Sequence, residues 1–135
     1  MSQDVRSTPS SKAALSANPT LAARRLEELS RNPLAGAWLA SAPAVSRAAL
    51  IQLLGASPVL GELLVRHPEW IAGCLAPESL EHGRRVEGLR REVSQSLDRW
   101  LQNADHAGAL ASLRLFRQRE HIRIAARDLS RSASM

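Results

Sequence analysis

Six apolar residues, Val86, Leu89, Val93, Leu97, Trp100 and Leu101, recur at three- and four-residue spacing. That period suits one face of a helix and no strand, and it predicts a helix from about Arg84 to Gln102. Similar patterns precede it. Thr20 reads as the N-cap of a first helix with Leu21, Leu26 and Leu29 as its apolar stripe, stopped by Asn32-Pro33. Residues 33 to 43, which include Trp38, are apolar but unassigned. Pro43 opens a helix to about Leu54 with Val45, Ala49, Leu50, Leu53 and Leu54 inward, and Gly55 reads as its terminator. Ser57-Pro58 then pairs an N-cap with proline in the first turn, and Val59, Leu60, Leu63 and Leu64 supply the inward face. His67-Pro68 breaks this helix and starts a short one in which Trp70, Ile71 and Leu75 pack. Pro77 to Gly83 reads as a polar connection, Asn103 to Gly108 as a turn, and Ala109 to about Leu129 as the last helix. No alternating strand pattern appears. The expected fold class is all-α, an irregular helical bundle of about five to six helices.

Met1 to Pro19 stands apart. It is rich in Ser, Ala and Pro, with too little apolar surface to offset the entropy of ordering it. The expected organisation is a disordered leader over residues 1–19 and one helical segment over residues 20–135. The leader lacks the apolar core of a signal peptide, and no run of the chain is long and apolar enough to span a bilayer. Its serines leave a transit peptide open, although no Arg-bearing amphipathic helix accompanies them. A single cysteine, Cys74, has no partner for an internal disulfide and suits a reducing compartment, so a cytoplasmic protein is expected. The net charge is +5, carried almost wholly by arginine, with Lys12 the only lysine. Either a GC-rich genome or a nucleic-acid surface accounts for that balance, and the first is favoured.

Chemistry-bearing patterns are scarce. His67, His82, His106 and His121 show no pairing at three or four residues and no partner cysteines, which argues against zinc. Scattered glycines form no phosphate-binding loop. Asp98, Asp105 and Asp128 are too far apart to read as a magnesium pair and look like helix-end or solvated charges. Cys74 reads as a buried structural thiol. No catalytic, cofactor-binding or metal residue is therefore assigned. The last helix carries more information. Leu115, Ile122, Ala126 and Leu129 share one side, whereas Leu110, Leu113, Phe116 and Ile124 lie on others, so more than one neighbour is needed to cover it. Among its arginines, Arg114, Arg117, Arg119, Arg123 and Arg127, two uses remain open: gripping phosphates, or pairing with Glu and Asp on neighbouring helices, the second being favoured.

Two segments are more specific. Leu53-Leu-Gly-Ala-Ser-Pro-Val-Leu-Gly-Glu-Leu-Leu-Val-Arg-His-Pro-Glu-Trp70 and Leu113-Arg-Leu-Phe-Arg-Gln-Arg-Glu-His-Ile-Arg-Ile-Ala-Ala-Arg-Asp-Leu129 resemble, in that order, helices of the bacterial bifunctional glutamine synthetase adenylyltransferase/adenylyl-removing enzymes. The resemblance runs from about Pro43 to Leu129. It implies the helical N-terminal part of a nucleotidyltransferase, in the adenylyl-removing half. Such enzymes add AMP from ATP to glutamine synthetase and remove it by phosphorolysis, with Mg2+ and ATP as cofactors and PII signal proteins as regulators. The family's glycine-rich Gly-x-Gly-Lys-Leu-Gly stretch and its Ser-Asp-x-Asp carboxylates have no match here. No catalytic residue is carried over, and Arg119, Arg123 and Arg127, which match the helix motif, are read as structural. The resemblance thus implies an incomplete domain that is inactive alone, with glutamine synthetase, PII and the remainder of its own polypeptide as partners. The alternative is a free-standing helical protein-interaction module; a basic nucleic-acid-binding bundle comes third.

Overall fold

The computed structural model describes residues 18–134. The leader expected over residues 1–19 lies outside the described residues except for Asn18 and Pro19, and these two open the first helix. Helix α1 spans Pro19–Ser30, with proline in its first turn and the Asn18 side chain accepting a hydrogen bond from the Leu21 N–H at 3.1 Å. Thr20, expected as the cap, is inside the helix.

Asn32-Pro33 both ends α1 and starts α2, Pro33–Ser41. Asn32 Oδ1 accepts from the N–H groups of Leu34 and Ala35, each at 3.0 Å, and so satisfies two donors that the helix start leaves free. The stretch left unassigned in the sequence is thus a capped helix.

Helix α3, Ala44–Ala56, is the centre of the fold. It buries Ser46, Ala49, Leu50, Ile51, Leu53, Leu54 and Gly55 and packs against α1 and against the helices that follow. Gly55 lies within α3 and does not terminate it. Val45 is exposed, and Ser46 takes the inward place because it sits three and four residues before Ala49 and Leu50. Ser57 then caps α4, Pro58–Arg66, by accepting from the Leu60 N–H at 3.2 Å, as expected from the Ser-Pro pair. Leu64 is buried and Leu60 and Leu63 pack partly, but Val59 faces solvent.

A 3-10 turn, Pro68–Trp70, leads into α5, Ile71–Cys74. The expected polar connection over residues 77–83 contains a further short helix, α6, Pro77–Glu81, which buries Leu80. Helix α7, Val86–Gln102, and helix α8, His106–Ser134, complete the chain.

Eight α-helices are present among the described residues, with no strand. The all-α expectation holds and the helix count exceeds the expected five to six, because α2 and α6 fall where the apolar period is too short to read. One core unites Leu29, Ala35, Leu50, Leu53, Leu54, Leu64, Ile71, Leu75, Leu80, Ile122 and Ala126, drawn from every helix except α7. Each fully buried leucine or isoleucine contributes roughly 1.5–3 kcal/mol relative to exposure. Helix α8 meets α3, α5 and α6 and also α7.

The α7–α8 corner is tight. Asp105 N–H donates to the Trp100 carbonyl at 2.8 Å and Ala104 N–H to the Leu101 carbonyl at 3.0 Å, the pair of bonds that closes a Schellman motif. Ala104 occupies its left-handed position with φ 54°. Asp105 then caps α8 by accepting from the Gly108 N–H at 2.8 Å. At Gly108 a side-chain carbon would stand 2.3 Å from the Trp100 ring, so only glycine admits that close approach.

Candidate functional site

The densest group of charges lies where α6, its following connection, α7 and α8 converge. Arg84, in the connection, donates to Glu92 of α7 at 2.5 Å and to Glu120 of α8 at 3.0 Å. Glu92 also accepts from Arg119, and Glu120 accepts from Arg123 at 2.7 Å. Arg119 and Arg123 stand one turn apart on α8, which places both guanidiniums toward this cluster. Beside it is a cleft of about 420 Å3 lined by Glu78, Ser79, His82, Gly83, Arg84, Glu92 and Arg123.

Two protonation equilibria respond. Burial alone pushes the Glu92 carboxyl up, but the Arg84 hydrogen bond and the charges of Arg119, Arg84 and Arg123 outweigh it, and the group is held below its ordinary value. The Glu92 hydrogen bond is the largest influence on Arg84 and raises it further. Both partners are therefore fixed in their charged forms at neutral pH. A carboxylate so held is a poor base, and a guanidinium does not surrender a proton. The cluster fits clamping better than proton transfer.

Beneath it, Cys74 is buried and donates to the Arg119 carbonyl at 3.6 Å. Burial pushes its thiol up to about 11, the opposite of what an activated nucleophile needs.

The other sequence candidates scatter. His67 stacks on Trp70 with ring centres 4.1 Å apart and meets Glu69 at 3.2 Å. His82 edges the cleft, His106 opens α8, and His121 is exposed on it. Among the described residues no group of three or more His, Cys, Asp or Glu is placed to hold a metal ion. Asp105 is committed to its cap, and Asp98 and Asp128 are exposed on separate helices. The donors among the described residues are not grouped to hold the magnesium that the sequence resemblance implies, and no step through it is derived.

Of the arginine row, Arg119 and Arg123 enter the cluster, Arg127 lies against Gly83, and Arg114 and Arg117 are exposed without an ion pair among the described residues. Glu92, Glu120 and Arg84 were not singled out from the sequence. Only the three-residue step from Glu120 to Arg123 was visible there.

The sequence profile of the glutamate-ammonia ligase adenylyltransferase family matches residues 47–135. A bifunctional glutamine synthetase adenylyltransferase/adenylyl-removing enzyme of Thioalkalivibrio sulfidiphilus (strain HL-EbGR7) is 34% identical over 80 residues, covering 59% of this chain and 8% of that protein. The matched stretch thus spans less than a tenth of the length of this curated relative. No solved structure matches it. Among the described residues no helix is long and apolar enough to cross a membrane. The profile takes in the whole of α4 to α8, both segments that carried the resemblance and the full charge cluster: the chain belongs to the glutamate-ammonia ligase adenylyltransferase family.

Proposed function

We propose that this chain is a helical scaffold within an enzyme of nitrogen control, one that adds AMP from ATP to glutamine synthetase and removes it by phosphorolysis. The family match over residues 47–135 carries this reading. On it, glutamine synthetase and PII proteins are partners of the whole enzyme, the setting is cytoplasmic, and the groups that hold Mg2+ and ATP come from polypeptide outside these residues. The commitment of Arg119 and Arg123 to Glu92 and Glu120 supports a scaffolding role for the motif helix.

The direct test incubates the chain with adenylylated glutamine synthetase, phosphate and Mg2+ and follows release of ADP. No release above background is expected. Turnover by the chain alone would overturn the assignment of the chemistry to other residues.

A second reading, a free-standing interaction module, draws on the apolar surface of α7 and α8, where Val86, Leu101, Leu110, Leu113, Leu115 and Ile124 are exposed. Glutamine synthetase activity that responds to the chain without any change in its adenylylation would favour that reading over the first.

A further inference from the structure

Helix α7 is attached differently from the rest of the molecule. It is 17 residues long and contains no buried residue, and its one extensive neighbour is α8. Arg85 at its N-cap makes no side-chain capping bond. Gly88, in the first turns, has nothing within 4 Å of where a side chain would be, so its cost of about 1 kcal/mol relative to alanine has no packing return. Trp100 packs on Gly108, but its indole N–H is buried without an acceptor, which counts against the docked position.

Against these weaknesses, Leu89, Val93 and Leu97 are half-buried, but none of them joins the core. Near the middle, Ser96 and Ser112 share a hydrogen bond of 2.6 Å. At the base, Glu92 accepts from both Arg84 and Arg119. Glu92 is the only acidic residue of α7 that ion-pairs with another element among the described residues. Facing it are Arg84 from the connection and Arg119, Arg123 and Glu120 from α8. An ionic hold of this kind, partly open to water, weakens as salt screens it, whereas the apolar core does not.

We propose that α7 is a strap, fastened at Glu92 by Arg84 and Arg119 and turning about the Ala104 corner, that lifts from α8 as a unit while the core from α1 to α6 and α8 stays folded. Lifting exposes the α8 face that carries Ser112, Phe116 and Arg119, and it frees the Arg119 and Arg84 guanidiniums from Glu92. The inference is independent of the enzymatic reading, since it uses only contacts within the chain. Local opening below the global unfolding free energy is expected of elements with few buried apolar contacts.

Hydrogen exchange on the whole 135-residue chain tests it. In the wild type, α7 amides should exchange at least roughly tenfold faster than those of α3, after correction for intrinsic rates. Glu92→Gln should accelerate α7 by roughly a further tenfold, and α3, whose global opening also breaks the Glu92 pairs, by no more than the same factor. Added salt at roughly 0.5 M should do the same to the wild type, and this arm remains decisive if the variant does not fold. Ile51→Val, in the core of α3, should accelerate α3 and leave α7 unchanged, because lifting α7 breaks no core contact. One common exchange rate for α7 and α3, acceleration of α7 by Ile51→Val as large as that of α3, or no response of α7 to Glu92→Gln and to salt overturns it.

Discussion

At Ala104 the chain turns from α7 into α8 with φ 54°, where an L-residue carries about 1–2 kcal/mol of strain and glycine carries none. Ala104→Gly should therefore stabilise the protein by about 0.5–1 kcal/mol, after the added unfolded-state entropy of glycine is counted, as read from urea denaturation. Loss of stability instead would show that the strain is relieved elsewhere. The sequence rule for helix ends was misleading at two residues. Gly55 carries the expected terminator identity yet lies inside α3, where its small size suits burial. The left-handed corner falls to an alanine that no propensity marks. Gly108 was read as part of the turn but lies in the first turn of α8, and its actual reason, contact with Trp100, needs the folded corner to be seen.

Among elements, those announced by a cap and proline were legible and those bounded by one ambiguous pair were not. Ser57-Pro58 gave the start of α4 because a helix stop was already expected before it. Asn32-Pro33 gave only the stop, although the same asparagine supplies two capping bonds to α2. Asn32→Ala should cost about 1 kcal/mol and lower the midpoint of thermal unfolding. An unchanged midpoint would show that α2 is held by packing alone. Inward faces were misread where hydropathy was preferred to period. Val45 and Val59 are apolar but stand off the stripe, whereas Ser46 stands on it and is buried with its hydroxyl unpartnered. In α8 the surplus of apolar residues was legible, and the structure shows it divided. Ile122 and Ala126 are sealed in the core, and Leu110, Leu113, Leu115 and Ile124 remain open to solvent.

For the molecule as a whole, the family was readable because its two motifs are contiguous in the chain, and the charge cluster was not. Arg84, Glu92 and Glu120 come from a connection and two helices, and only the tertiary fold brings them together. Their effect on global stability has a definite sign. The Glu92 carboxyl lies below its ordinary 4.5 in the folded protein, so its contribution is complete above that pH and is lost as pH falls through the lower folded value. The stability gap between wild type and Glu92→Gln should be about 1 kcal/mol at neutral pH and should close on acidification below the ordinary value. A gap independent of pH would mean that the side chain acts through packing. Helix α8 has one more consequence at this scale. Its 29 residues make a rod of about 44 Å at 1.5 Å per residue. From Ala109 onward it contains neither proline nor glycine, the residues at which helices most often kink. Its second half is embedded beside α3, and its first half reaches outward to the α7 corner. Such a rod works as a lever: a tilt of roughly 5° at the embedded end displaces the far tip by about 2 Å over half the rod's length. A small repacking around Ile122 would therefore be registered, enlarged, at the corner held by Trp100 and Gly108.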